Sequence, residues 1–426
     1  MGTPSPVPRL EGFDQTLAFL REGYDFISRR CGRLGSDRFL TRLMLSPVMC
    51  TRGAEAAEIF YEGGRFTRQG ALPPTTLRLL QDKGSVQQLD GAAHLHRKSL
   101  FIELLMSSSA EGEIVDLFRE EWHRSLADWT RQPQVVLLEE VNLVITRAIC
   151  RWTAVTLKQM SAEEMTDELA SMVEYSGSVS PGVLVALLRR RRTELHLEGL
   201  VRDMRAGRAD IPPEAPARRI ARFRDIDGNL LTEKAVAVEI LNILRPTLAI
   251  GRFIVFAAMA LREHEEWRSR LQGADDATYD FFAEEVRRLY PFFPLAGGIA
   301  TESFEWRGQR VEEGDWVLLD LHGTNHHPKL FEKPDSFDPG RRLSWRDQGY
   351  DFIPQGAGDT SRTHRCPGEQ FTVALMREAT RMLVEEMDYR VPPQDLSMAR
   401  NRMPTRPKSG MILADVRRKS ASAPLS

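Results

Sequence analysis

Apolar positions along this chain recur mostly with a period near 3.6, which predicts a protein built largely of helices. Amphipathic helical patterns run over Phe13 to Cys31, Ala54 to Tyr61, Thr75 to Gln81, Gly91 to Met106, Glu113 to Thr130, Val135 to Thr156, Ala162 to Tyr175 and Pro181 to Arg205. Arg38 to Arg52 alternates instead around Ser46 and Pro47 and predicts a small hairpin. The most apolar segment, Ala235 to Leu261, is long enough to cross a bilayer, but Glu239, Asn242, Arg245, Pro246 and Arg252 interrupt it. A spanning helix rarely carries so many polar residues, so a long helix buried through the centre of the protein is expected. From Gly308 the pattern changes. Arg310 to Asp320 and Tyr389 to Val416 carry turn signals and β-branched residues, as strands do. Without a repeat or a long Pro/Gly-rich linker, residues 1–426 are expected to form one domain with short flexible ends. Its class is mainly α with a smaller β part.

Composition narrows the function. The balance of 58 basic and 60 acidic residues leaves a net charge of −2, which argues against a nucleic-acid partner. The four cysteines, Cys31, Cys50, Cys150 and Cys366, are scattered and form no Cys-x-x-Cys pair. That argues against a structural zinc site and covalent c-type haem attachment, and fits a reducing cytoplasm. Met1 to Pro8 carries no apolar core, so no signal peptide or membrane anchor is expected. The run Arg189 to Arg192 reads as a solvated helix face and receives no function.

Three polar clusters carry candidate chemistry. In Phe352-Ile-Pro-Gln-Gly-Ala-Gly-Asp, followed by Thr360 to Gly368, glycines surround a single cysteine placed just before a predicted helix from Glu369 to Leu383. Unpaired N–H groups and the helix dipole favour an anion there, so Cys366 is a candidate metal ligand or nucleophile. The glycines could suggest a dinucleotide loop, but no third glycine follows at Ser361 and no strand–helix unit frames them. Arg245-Pro246 lies in the middle of the buried helix. A buried arginine requires an anionic partner, either a structural acid or a ligand carboxylate. The third cluster is Glu285 and Arg288, three apart on one helical face, to which Arg341 can add a second guanidinium.

Taken together, these residues resemble the cytochrome P-450 (haem-thiolate) superfamily: Glu285-x-x-Arg288, then Phe337-Asp-Pro-Gly-Arg341, then the loop ending Cys366-Pro-Gly, in that order. Further signatures are similar to those of a subfamily of bacterial fatty-acid peroxygenases. They are Arg245-Pro246, Arg287-Arg288-Leu-Tyr-Pro-Phe-Phe-Pro294, His364-Arg-Cys366-Pro-Gly-Glu369, and Asp90-Gly-Ala-Ala-His94-Leu-His96-Arg97-Lys98. The likeness runs from about Pro74 to the end of the helix after Cys366.

The resemblance implies a P-450 fold whose long central helix lies beside haem b, with Cys366 as axial ligand and donation from sulfur favouring O–O cleavage. It makes Glu285, Arg288 and Arg341 structural, and brings His94 and Lys98 to the haem propionates, with His96 equally readable as an exposed helix face. Oxygen-activating relatives place an acid before a threonine in the central helix; here Leu244-Arg245-Pro246-Thr247 has none. A fatty-acid carboxylate held by Arg245 beside Pro246 would assist the activation of hydrogen peroxide instead. Gln87 occupies a position where decarboxylating members often carry His and hydroxylating members Gln, and Phe292 is a pocket candidate as well as a core one. The implied function is hydroxylation of a long-chain fatty acid at the alpha or beta carbon, without an obligatory redox partner. The alternatives are decarboxylation to a terminal alkene on the same scaffold, and a haem-based sensor or binding protein.

Overall fold

The central element of the computed structural model is the helix Glu233–Glu263, which is apolar on nearly every face because every face is covered. It is the one described helix long and apolar enough to cross a membrane, and 94% of its apolar window is buried inside the protein. Thr232 starts it by accepting from the Ala235 N–H, which satisfies one of the first-turn donors. Pro246 sits inside it and removes one backbone donor. The helices Leu137–Thr153, Ala162–Glu174, Gly182–Arg205 and Glu369–Arg381 pack around it. The approach of Leu137–Thr153 depends on Gly251, where a Cβ would stand 2.3 Å from Asn142 Oδ1. Each leucine, isoleucine or phenylalanine fully buried in this core contributes roughly 1.5–3 kcal/mol.

Residues 7–157, 160–347 and 349–419 are described; the chain ends, for which the sequence predicts short flexible segments, lie outside them. The β part flanks the helices. Arg38–Leu43 and Ser46–Thr51 form the expected hairpin. Ser46–Thr51 then pairs in parallel with Trp316–Asp320, which pairs antiparallel with Leu295–Ala300, and Phe66–Thr67 closes the five-stranded sheet. A three-stranded sheet joins Gln134–Val136, Ile412–Arg418 and Met387–Arg390.

Several expectations are corrected. The pattern from Phe13 to Cys31 is two helices, Thr16–Glu22 and Phe26–Leu34, broken at Gly23. A Cβ on Gly23 would stand 2.0 Å from Arg400 O, so the break lets the chain press against that backbone. The stretch from Val135 to Thr156 opens as a strand, because Gln134–Val136 pairs with the 412–414 segment, and its helix ends at Thr153 before Ala154 at φ 60°. Leu295–Ala300 was not anticipated as a strand, since Gly297 and Gly298 erase the alternation that would mark it. Both glycines are packed tightly: a Cβ on Gly297 would lie 2.7 Å from Ala71 O and one on Gly298 2.9 Å from Phe66.

The arginine run is not uniformly solvated either. Arg190 is fully buried, pairs with Glu194 at 2.8 Å, and donates to the carbonyls of Leu79 and Gln81. Positions 190 and 194 share the face turned to the C-terminal end of the helix Pro74–Leu80, whose last carbonyls have no intrahelical partner.

Candidate active site

The loop that carries Cys366 is fixed by its own backbone and by buried charges. The Cys366 N–H donates to Gln355 O at 3.1 Å. Gly356 stands at φ 106°, a conformation that suits glycine, and a Cβ there would lie 3.0 Å from Arg365 Cα. Behind the loop, Glu369 opens the following helix and accepts from Arg365 Nε at 2.7 Å on one oxygen and from Arg287 on the other. Arg287 also pairs with Glu284 and donates to Gln355 Oε1 at 2.8 Å. The Arg287–Glu369–Arg365 clamp is not legible in the sequence, because no local spacing joins Arg287 to Glu369, 82 positions away. Sequestration from bulk water pushes the Cys366 thiol above its usual range, against the pull of the Gly368 N–H and of Lys98 and Arg287.

Glu285, Arg288 and Arg341 do meet. Arg288 grips Glu285 with two bonds of 2.8 and 2.7 Å, and Arg341 Nε lies 3.4 Å from Glu285 Oε1. Arg288 then spans outward to the carbonyls of Asn325, Pro334 and Ser336. The trio ties the helix Asp276–Leu289 to the segment leading into the cysteine loop.

A slot of about 180 Å³ lies at Cys366, lined by the Cys366-Pro367-Gly368 turn and Phe371 and by Ile243, Thr247 and Ile250 of the central helix. Basic groups gather at its edge. His94 is buried and stacks on His364 with ring centres 3.9 Å apart, and the Lys98 ammonium donates to the carbonyls of Thr363 and Arg365. Arg68, buried nearby, donates to Gly297 O at 2.9 Å and lies over the Phe60 ring. Among the described residues neither Arg68 nor Lys98 has a carboxylate partner. Burial therefore lowers the Lys98 ammonium to about 7 and, with the neighbouring Lys98 and Arg68 charges, His94 to about 4. His96 points elsewhere: it is exposed, with Nε2 3.0 Å from Arg224 O. Arg68 and His364 were not singled out as site residues in the sequence, although His364 stands two positions from the cysteine.

A second cavity, of about 280 Å³, adjoins the slot: Gln87, Pro246, Gln355, His364 and Cys366 line both. Arg245 and Phe292 line it too, Phe292 against Phe253 at 4.3 Å. Arg245 is 3% exposed and donates to Leu79 O at 3.2 Å, to Leu80 O, and to Asn242 Oδ1 at 3.0 Å. All three acceptors are neutral. Burial first, and the Arg190 charge second, hold its guanidinium well below the usual arginine range. No aspartate or glutamate among the described residues lines either cavity, and Thr247 Oγ1 donates to Ile243 O at 2.8 Å. The structure therefore puts Cys366, Arg245, Pro246, Gln87, Phe292, His94 and Lys98 around two joined cavities. Glu285, Arg288 and Arg341 lie apart, behind the loop.

A mainly helical fold with a cysteine in a glycine-rich turn facing a long central helix fits the haem-thiolate class that the sequence resembles. Comparison with known proteins agrees. The family described as Cytochrome P450 matches residues 280–413. The structure of cytochrome P450SP alpha (CYP152B1) in complex with (R)-ibuprophen is 41% identical, covering 95% of this chain and 99% of that one, with a TM-score of 0.91. Cytochrome P450EX alpha (CYP152N1) with myristic acid is 37% identical over 97% of this chain and 100% of that one, with a TM-score of 0.92. A point variant of cytochrome P450 OleT in complex with arachidonic acid is 31% identical over 98% and 100%, with a TM-score of 0.94. Among curated relatives, Cytochrome P450 736A117 of Prunus mume is 29% identical over 116 residues, so that the chain spans only 22% of that relative's length. This chain belongs to the cytochrome P-450 family, in the bacterial subfamily of those three structures. The family implies a haem. The residues present fit one: a cysteine in a glycine-rich turn, an apolar wall opposite, and a cluster of cations whose missing counter-charges two propionates would supply.

Proposed function

We propose that this protein is a cytoplasmic haem-thiolate peroxygenase, working as one 426-residue unit, that hydroxylates long-chain fatty acids at the alpha or beta carbon with hydrogen peroxide. The observation that carries the reading is Arg245, a buried guanidinium with only neutral partners, lining a cavity that joins the slot at Cys366. A carboxylate is the ligand such a fork accepts best, in two parallel charge-assisted bonds. The acyl chain then lies in the larger cavity, against Phe292, which leaves the carbons next to the carboxyl group nearest the slot.

Cys366 would ligate the iron, and His94, Lys98, Arg68 and His364 would hold the propionates; bound there, haem b supplies oxidation driven by peroxide. No acidic side chain of the described protein lines either cavity to move the peroxide proton. The carboxylate on Arg245 takes that task, so one arginine serves binding and activation together. Electrons arrive with the peroxide, and no reductase is required. Gln87 favours hydroxylation over alkene formation by analogy with its subfamily position.

The test is turnover of the purified, haem-loaded protein with hydrogen peroxide and a set of fatty acids, with products read by mass spectrometry. Hydroxy acids formed without a reductase support the proposal. Terminal alkenes as the main product would turn it to decarboxylation. Activity confined to oxygen plus a reductase would overturn it, and fatty-acid binding without turnover would leave a sensor or binding protein.

A further inference from the structure

Three polar side chains of the central helix stand three residues apart, Glu239, Asn242 and Arg245, and their hydrogen bonds run in one direction. At one end, the Arg245 guanidinium can only donate, and its Nη2 lies 3.0 Å from the Asn242 side chain. At the other end, Glu239 accepts from the Val86 N–H at 2.9 Å and from Arg97 Nη1 at 2.8 Å. Its second oxygen lies 2.9 Å from Asn242. A donor-only group and an acceptor-only group thus bracket one amide. Asn242 must turn its carbonyl oxygen to Arg245 and its N–H₂ to Glu239, because the reverse orientation would set N–H against a guanidinium and oxygen against a carboxylate.

The orientation propagates. The same Asn242 Nδ2 lies 3.1 Å from the side chain of Gln87, so the Gln87 atom facing it is the carbonyl oxygen. The Gln87 Nε2 group is then the free end, without a protein partner among the described residues, on a side chain that lines both cavities where they meet. We infer that Glu239 and Asn242 are positioning residues that fix the polarity of this pocket, making Gln87 a hydrogen-bond donor toward the carboxylate proposed to sit on Arg245. The inference rests on that proposed substrate and adds a basis for selectivity. With donors on two sides, the head-group position suits an ionised acid better than a head group, such as a primary amide, that must itself donate. Arg97 shares the helix Gly91–Leu105 with His94 and Lys98, so the pocket and the haem edge are braced by one element.

The conservative change Glu239→Gln keeps the shape and offers N–H where the chain of bonds needs an acceptor, which releases Asn242 and Gln87 to turn over. Asn242→Leu removes the relay altogether. The experiment titrates haem-replete wild type and variants with a fatty acid and with its primary amide, by calorimetry and by the absorption of the haem. The wild type is expected to bind the acid at least tenfold more tightly than the amide. Both variants should lose most of that preference, with KM for the acid raised more than kcat is lowered. Because Glu239 and Asn242 are buried, Gln87→Glu provides an independent arm: it sets an acceptor at the free end and should weaken the acid while sparing the amide. A merely structural role would lower stability and leave the acid-to-amide ratio alone. An unchanged ratio in all folded variants overturns the inference while the substrate assignment stands. A wild type that binds no fatty acid overturns both.

Discussion

Arg190 and Arg245 donate to the same oxygen, the carbonyl of Leu79, at 3.1 and 3.2 Å. They arrive from different helices and are not equivalent. Arg190 has Glu194 at 2.8 Å, whereas Arg245 ends on carbonyls and an amide. The C-terminal end of Pro74–Leu80, with the partial negative charge of its free carbonyls, thus holds both guanidinium groups, and with Arg78 they make three arginines against two carboxylates, Glu194 and Asp82. The surplus positive charge stands at the cavity wall.

Arg245→Ala should therefore abolish fatty-acid binding while Cys366 still holds the haem. Removing one side of a buried charged pair costs roughly 3–5 kcal/mol, a loss of affinity of about a hundredfold or more. Arg245→Lys keeps the charge without the fork and should be damaged less. Titration of folded, haem-replete variants decides it, and near wild-type affinity in Arg245→Ala would sink the anchor.

Arg190→Met should act on stability instead. It takes the buried guanidinium from Glu194 Oε1 but leaves Arg78 on the other oxygen at 2.8 Å, so the loss should stay below the roughly 3–5 kcal/mol of a buried charge left without a partner. The double change Arg190→Met with Glu194→Leu should recover part of that loss, since Arg78 keeps Asp82 when Glu194 is gone. Urea unfolding of the single and double variants makes the comparison; equal losses would mean the pair contributes through something other than its charge.

Cys366→Ala should remove the red-shifted Soret band expected of the reduced, carbon-monoxide-bound wild type. A wild type without that band, or a variant that keeps it, contradicts thiolate ligation.

The pH dependence of stability should carry the mark of Asp320. Burial raises its carboxyl from 3.8 to about 6, despite bonds from Ser28 Oγ and the Gly323 N–H. A raised carboxyl pKa means the folded state holds its proton longer than the unfolded state. The contribution is then fully present below 3.8 and is lost as pH rises through 6. Stability of the wild type relative to Asp320→Asn should fall by roughly 2–3 kcal/mol between pH 4 and 7. Denaturant midpoints at the two pH values test this, and a constant difference would refute it.

What the sequence made legible follows from how far each signal reaches along the chain. The long helices, the Arg38–Thr51 hairpin and the cysteine loop are local patterns, and they stand where expected. Glu285 with Arg288, and Arg245 with Pro246, were found because each is a short spacing inside one helix. What stayed hidden depends on distant partners. Arg190 reads as solvated until the end of Pro74–Leu80 is placed against it, and Arg68 reads as an ordinary charge until Lys98 and the two histidines gather beside it. Leu295–Ala300 hides for the opposite reason: its glycines serve the packing of neighbours and leave no pattern of their own.

The unneutralised cations around the slot bear on how this protein comes into being. Arg68 and Lys98 are folded away from water, and among the described residues neither forms an ion pair with a carboxylate, which costs stability that two propionates would offset. A haem bound there would act as counter-ion to these groups, and mass action would then tie the population of the folded state to its free concentration. The haem-loaded protein should therefore resist proteases better than the haem-free chain. Protease resistance that is the same with and without haem would show that the fold needs no such completion.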